Sequence, residues 1–576
     1  MRGIKKYIQP YYAMIALTLL IKFAASMMDL LIPSILAKII DEIVPLHQPA
    51  QIYLWGGIML LCALISITCN ITANRMSAKS AGKITQHIRH DLFVKTSYLS
   101  ARQMDQFTVS SLNARLTSDT YNLNELFARM QRIGIRGPIL LIGGILMTLT
   151  MDTALTLVLA ATLPLIALVV YIVTKKSIPL YTEQQGVVDR MVRVMQENIS
   201  GIRVIKALSK TEYEKNRFDG VNHTLADTER RVGAIMATTN PATTLILNLG
   251  LTAVVAVGAF RMNAGKTQPG VIIAFLNYFT IILNAMLGIT RIFILCSRGI
   301  ASARRVSEVL QAPEDLAVLP WKEEEREKEP VHIRFSHVDF SYNHVENNLT
   351  DINFALKRGE TLGILGATGS GKSTILNLLL RFYDVDSGEI LIDGRDIRTI
   401  PIKQLRQKFG VVFQNDFLVA ETIAENISYF RDLPQEQIQK AAQAAQAWNF
   451  IAQKSNGLQE QVAVRGNNLS GGQKQRLLIA RALAAQPEIL ILDDASSALD
   501  YRTDAALRKA LHHHFQGTTS IIVAQRISSI MGADHILVLE EGKIIGYGTH
   551  EALLRNCEVY RSISHMQMGT DGEEGQ

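Results

Sequence analysis

Apolar residues in the first half of the chain are gathered into blocks instead of alternating with polar ones. Stretches long enough to cross about 30 Å of hydrocarbon as helices fall at about 13–40, 52–74, 136–152, 153–174, 236–260 and 271–295. Only Met151, Asp152 and Thr153 separate the third from the fourth, which predicts a hairpin with a very short external turn. The even number of spans returns the chain to its starting side. The long connections at about 75–135 and 175–235 keep a helical period with few breakers, so helices two to five are expected to continue well beyond the bilayer. After the sixth span the pattern changes. Pro313, Pro320 and Pro330 bracket a charged run from Lys322 to Glu329, which reads as a solvated linker. From Val331 onward short β-rich runs (VHIRFSHVDFSY, TLGILG, KFGVVFQ, EILILDD, TSIIVAQ, HILVLEEGKIIGYG) alternate with helical stretches. The tail after Met566 reads as disordered. The expected organisation is therefore a six-helix membrane domain at 1–311, a linker at 312–330, an α/β domain at 331–566 and a tail at 567–576.

Composition sharpens this picture at three points. A chain of 576 residues is too long for one core, and 48% hydrophobic content is high for a soluble protein. The formal charge of +7 is concentrated beside the hydrophobic segments, where it sets topology, so nucleic acid is not an expected partner and a lipid bilayer is. The segment from Arg75 to Arg136 carries ten Lys or Arg, whereas DEIVPLHQPAQ, after the first span, carries none. The long connections, both termini and the α/β domain are therefore expected on the cytoplasmic side of a cell membrane. Cys62, Cys69, Cys296 and Cys557 form no metal-type cluster and read as packing residues.

The chemistry sits in the second half. Residues 366–373, GATGSGKS, fit GxxxxGK[ST] between a strand and a helix. Gly366, Ala367, Thr368, Gly369, Ser370 and Gly371 form a loop whose backbone can wrap phosphates with its N–H groups inward. Lys372 reaches the outer phosphates, Ser373 can ligate magnesium, and Thr374 continues into the helix whose N-terminus favours anions. About 120 residues later ILILDD ends a buried strand in Asp493, placed for a magnesium contact. The two motifs together indicate a nucleotide, with ATP and Mg²⁺ as the expected ligands. Between them stands LSGGQ, with Ser470, Gly471, Gly472 and Gln473 after Leu469. It can be a plain helix cap, or a set of backbone and hydroxyl donors for a γ-phosphate.

On these motifs the chain resembles the ATP-binding cassette (ABC) exporters, specifically half-transporters, over nearly its whole length. The resemblance implies a membrane all-α six-helix transmembrane domain (type I/IV exporter) fused to a cytosolic α/β P-loop nucleotide-binding domain. It further implies that Tyr342 stacks on adenine, that Gln414 touches magnesium and senses the membrane helices, and that SALD at 497–500 crosses a dimer interface. Residues 104–120 and 197–218 look like the family's coupling loops, with Phe107, Tyr213 and Phe218 as candidate knobs.

Two positions depart from the family pattern. The family usually carries Glu after the acidic strand and His at the end of the later strand, whereas this chain has Asp494 and Gln525. Shortening the carboxylate withdraws it by about 1.5 Å, and a misplacement of that order can cost roughly a hundredfold in rate. Gln525 can donate a hydrogen bond but cannot bring positive charge to the phosphate. The signature LSGGQ is intact. The combination resembles the degenerate-site subunit of heterodimeric bacterial ABC multidrug exporters, and it implies a second half-transporter with intact Glu and His and an altered signature. The alternatives are a homodimeric exporter of lipid or peptide, and a regulatory cassette protein in which ATP gates without pumping.

Polar residues within spans are costly and invite functional readings. Lys22, Asp29, Asn248, Asn284 and Arg291 are candidates for a central cavity, and Lys22 and Asp29, seven apart, share a helix face. Met27, Met28, Phe23, Phe275, Phe279 and Phe293 suit an apolar cavity for hydrophobic or amphipathic small molecules, though such stripes are more often packing or lipid-facing. Pro33 and Pro164 read as helix kinks.

Overall fold

The computed structural model describes residues 2–313, 316–321, 331–495 and 499–568. The charged linker run, Ser497 and Ala498 of SALD, and the tail beyond 568 lie outside the described residues. So do the side chains of Arg291 and Phe293. The chain forms two compact units, Met1–Ser97 with Val109–Ala312, and Tyr98–Thr108 with Pro313–Gln576.

The first unit is helical. Among the described residues, six helices are long and apolar enough to cross a membrane: Gly3–Leu46, Pro49–Ser97, Val109–Met151, Thr153–Val173, Thr211–Asn263 and Pro269–Ile289. The expectation of long continuations holds. Pro49–Ser97 is one helix of 49 residues and Thr153–Ala207 one of 55, so at 1.5 Å per residue each exceeds about 70 Å, more than twice the hydrocarbon thickness. The third and fourth spans meet at a single residue. Asp152 is extended (φ −155°, ψ 116°), and its carboxylate accepts from the backbone N–H groups of Ala154 and Leu155 at 2.9 and 3.1 Å. Arg261 and Thr267 donate to the same carboxylate, each at 2.9 Å. Asp41 does the same service at the sixth span, accepting from Gly270 and Val271 N–H at 2.6 and 3.0 Å.

Phe275 and Phe279 are packing residues. They are buried in a packing cluster with Leu155, Leu159, Val254 and Ile282. A Cβ at Gly250 would come within 2.4 Å of the Phe279 ring, so the missing side chain is what lets the ring seat there. These aromatics take the packing role, and the apolar cavity suggested for them is corrected. Phe23 is 49% exposed on the helix surface and Asn248 is exposed.

Among its described residues the second unit carries ten strands: β1 Val331–Phe340, β2 Leu349–Lys357, β3 Thr361–Gly366, β4 Ser387–Ile392, β5 Arg395–Asp396, β6 Phe409–Val412, β7 Ile489–Asp493, β8 Thr519–Val523, β9 His535–Glu540 and β10 Lys543–Gly548. One sheet has the order β2-β1-β4-β5 and is antiparallel. The other, β10-β9-β3-β8-β7-β6, is parallel from β9 to β6. Strands β7 and β3 are near-continuous apolar runs because both faces are covered. β2 and β4 did not stand out in the sequence. In β2 buried and exposed positions alternate, so its apolar content is diluted by the polar residues of its open face.

Residues of the expected linker dock on this unit. Arg381, fully buried, donates to Ala317 O at 2.6 Å and pairs with Asp384 at 2.8 Å. Leu319 N–H donates to Arg398 O at 2.9 Å.

Candidate nucleotide site and transmembrane cavity

Strand β3 delivers the chain into the Gly366–Gly371 turn, and the helix Lys372–Leu379 starts immediately after it. Two glycines have no substitute here. Gly371 sits at φ +102°, and a Cβ on Gly366 would lie 2.4 Å from Leu539 O and 2.6 Å from Ser370 Oγ. The result is a concave pocket of about 330 Å³ lined by Thr368, Gly369, Gly371, Lys372, Ser373, Thr374, Gln414, Asp493, Asp494 and Gln525, with Asn348 at one side. Lys372 Nζ donates to the carbonyls of Gly366 and Ala367 at 2.8 and 2.7 Å. Burial pulls its ammonium below the ordinary lysine range, while Asp493 and Asp494 pull the other way.

Asp493 is buried at the end of β7. Burial pushes its carboxyl above the ordinary range, against a 3.4 Å hydrogen bond from Ser373 Oγ and a bond from the Gln414 backbone N–H. Asp494 turns the chain at φ 52°. Its carboxyl is also raised, chiefly by burial, and its Oδ2 accepts from Gln525 Nε2 at 3.0 Å. The two residues that depart from the family pattern are therefore bonded to each other.

The residues fit a magnesium nucleotide on features of their own. Ser370 Oγ is buried inside the turn without a hydrogen-bond partner among the described residues, and a Cβ on Gly369 would meet nothing within 4 Å, so the backbone there lies open to a ligand. Ser373, Gln414 and Asp493 together offer an all-oxygen ligand set of the kind magnesium takes.

Tyr342 stands apart from the pocket lining. It is 40% exposed, edge-on to Phe340 and Tyr383 with centroids 4.8 and 5.0 Å away. Its hydroxyl meets Thr374 Oγ1 at 3.4 Å and accepts from Asn377 Nδ2 at 3.1 Å. Ser470, Gly471, Gly472 and Gln473 do not line the pocket either. Ser470 caps the helix Gly471–Ala484, accepting from Gln473 N–H, while Gln473 Oε1 accepts from Ser470 N–H at 3.0 Å. Within one chain the signature is a capping box.

Sequence reasoning missed a connection inside this unit. The short helix Ala101–Phe107, which shares only residues 104–107 with the first expected coupling stretch at 104–120, belongs to it. Tyr383 Oη donates to Asp105 at 2.5 Å, and Gln103 Nε2 donates to Pro313 O at 3.1 Å. Tyr383 thus links Asp105 to Tyr342 and, through Thr374, to the phosphate-loop helix. The candidate knob in that stretch, Phe107, is half-buried. In the second coupling-loop segment the helices Thr153–Ala207 and Thr211–Ala237 meet at a tight turn. Arg217 clamps it by pairing with Glu197 at 2.6 Å and Glu214 at 3.3 Å. Tyr213 there is exposed and Phe218 half-buried.

In the first unit, a cavity of about 610 Å³ is lined by Lys22, Asp29, Asn74, Arg132, Arg136 and Asn284 among others. Of the intramembrane polar candidates, Lys22, Asp29 and Asn284 meet there. Arg132 and Arg136 were not singled out, because they fall at the edge of the third apolar block and read as topology-setting charge.

A phosphate loop, an acidic strand end, a capped signature helix and six membrane-crossing helices in one chain define an ATP-powered membrane transporter. Residues 15–286 match the family described as ABC transporter transmembrane region, and residues 349–497 match the family described as ABC transporter. The chain is 33% identical over 574 residues to an uncharacterized ABC transporter ATP-binding protein of Mycobacterium tuberculosis (strain CDC 1551 / Oshkosh), covering 98% of this chain and 97% of that protein. It is 32% identical over 516 residues to an ATP-dependent lipid A-core flippase of Methylobacillus flagellatus, covering 88% and 86%. Its fold matches that of a bacterial Atm1-family ABC exporter solved with ATP bound, with a TM-score of 0.81, 24% identity and coverage of 98% and 99%. The chain belongs to the ABC transporter family, as a multi-pass membrane protein with the architecture of an ATP-driven exporter.

Proposed function

We propose that this chain is the degenerate-site subunit of a heterodimeric exporter of amphipathic small molecules, drugs among them. Its termini and nucleotide-binding domain face the cytoplasm. Gly366 through Thr374 hold the phosphates of ATP, Ser373, Gln414 and Asp493 hold Mg²⁺, and Tyr342 meets the adenine. The observation that carries the reading is the Gln525–Asp494 hydrogen bond. It joins a carboxylate one methylene short of the usual base to an amide that cannot supply positive charge. This cradle is suited to retaining ATP, with little power to prime an attacking water. The exposed signature, Ser470 to Gln473, completes the cradle of a partner half-transporter that carries Glu and His at these positions. Closure of the paired cassettes passes through Asp105 and Tyr383 to the membrane helices, and hydrolysis at the partner's cradle resets them.

The test is an unequal pair of mutations. In the assembled transporter, Asp494→Asn should lower ATPase activity less than about threefold, and Glu→Gln at the partner's base should lower it about a hundredfold or more. Equal losses, or brisk hydrolysis by this chain alone that disappears with Asp494→Asn, refute the reading. A second reading is a homodimeric lipid exporter, and the relative named as an ATP-dependent lipid A-core flippase favours lipid as the cargo. Purification of the tagged chain from its own membranes separates the two, since only the heterodimer brings down a different half-transporter.

A further inference from the structure

The cavity in the first unit carries a charge pattern that its location does not require. Around about 610 Å³ stand three cations, Lys22, Arg132 and Arg136, and one carboxylate, Asp29. That carboxylate is already engaged. Arg136 donates to it at 2.8 Å, and Ser66 Oγ donates to its other oxygen. Lys22, 2% exposed, donates to Asn70 at 2.7 Å and Asn74 at 3.2 Å. Both acceptors are neutral, so its charge is solvated but not cancelled. Arg132 has no hydrogen bond or ion pair among the described residues, and the Nε atoms of both Arg132 and Arg136 are buried without partners. The lining therefore keeps a net charge of +2 and unused N–H donors among spanning helices, where unpaired charge is costly.

The backbone contributes to this arrangement. Arg132 lies in a π-helical turn, Met130–Gly134, that interrupts the third span just before Arg136. Such turns interrupt the regular i→i+4 ladder and often occur at functional sites. The remaining walls, including Ile32, Ile133, Leu140 and Ile281, are apolar. The volume falls in the range of small-molecule pockets.

We infer that this cavity binds an anionic amphiphile, with its phosphate or carboxylate between Lys22, Arg132 and Arg136 and its apolar body along Ile32, Ile133, Leu140 and Ile281. A cationic drug would meet two uncompensated positive charges. A free inorganic anion would leave the apolar walls without a partner. The inference rests on the exporter reading only in calling the bound molecule cargo.

The experiment measures binding to the full-length chain in phosphatidylcholine nanodiscs without nucleotide, against empty nanodiscs, so it is independent of where ATP is cleaved. The probes are dodecyl phosphate, dodecyltrimethylammonium, dodecyl maltoside and inorganic phosphate. Saturable binding of dodecyl phosphate is expected about tenfold or more tighter than of the other two amphiphiles, with inorganic phosphate failing to compete at equal concentration. Arg132→Gln should weaken it about tenfold and Arg132→Lys less than about threefold. Arg132→Glu should strengthen dodecyltrimethylammonium binding, a gain that a misfolded protein cannot show. Equal affinity for the three amphiphiles, an unchanged preference in Arg132→Gln and Arg132→Glu, or displacement by inorganic phosphate at equal concentration overturns the inference. If instead the binding holds while this chain alone proves a full ATPase, the division of labour between cradles fails and the cavity assignment stands.

Discussion

Lys372 and Lys22 are both ammonium groups drawn out of water, and the chain accommodates them in opposite ways. Lys372 donates to carbonyls five and six residues before it, inside the turn that also presents it. Lys22 donates to side chains 48 and 52 residues away on another helix, in a cavity whose other cations come from a third helix. The cradle is thus a local object, and its charge is set by a run of nine residues and one strand end. The cavity is a non-local object in which each charge is ordinary in its own segment. The difference shows why the same residue type signals function in one half and only topology in the other.

Four changes would break or sharpen this contrast. The largest effect is expected from Lys372→Ala, which removes the charge-assisted contact proposed for the phosphates and should weaken ATP binding roughly a hundredfold, read by titration with a fluorescent ATP analogue. Retained affinity would mean that the local turn is not the phosphate site. Next, on the reading that this cradle is degenerate, restoring the family pattern with Asp494→Glu and Gln525→His should raise the ATPase rate of the purified chain about tenfold or more, because in a pair of copies each restored cradle meets the intact signature of the other copy. An unchanged rate would place the defect elsewhere than in the pair joined at 3.0 Å.

On the non-local side, Asn70→Leu removes the shorter acceptor of Lys22 and leaves a buried ammonium underserved, at a cost of about 1.5–3 kcal/mol. The melting temperature in detergent should fall, and Asn70→Asp should not reproduce the fall. The smallest effect is expected from Tyr383→Phe, which deletes the hydrogen bond to Asp105 but keeps the ring packed on Tyr342. ATP binding should be unchanged, while stimulation of ATPase by transported compounds should drop about twofold. Undiminished stimulation would remove Tyr383 from the coupling path.

Much of the architecture was legible because it is written in short-range patterns. The spans show as apolar blocks, and the parallel strands β3, β7 and β8 show as short apolar runs. The phosphate loop, the acidic strand end and the helix-capping signature show as contiguous motifs. The strand β2 was missed because one open face dilutes its apolar signal. The expected coupling stretch at 104–120 shares only residues 104–107 with the helix Ala101–Phe107, and the bond from Tyr383 to Asp105 was not legible, since the two lie 278 residues apart.

Residue order alone determined that this polypeptide crosses a membrane six times and carries a nucleotide cradle with a shortened acid, because helix length, glycine spacing and strand ends are local properties. Only the tertiary structure decided that Asp494 and Gln525 bond each other, that Phe275 and Phe279 are packing, and that Lys22, Arg132 and Arg136 share one cavity. Those outcomes depend on which distant helices and strands come to lie side by side. Burial and partnership then give each charge its value, and neither is a property of any single segment.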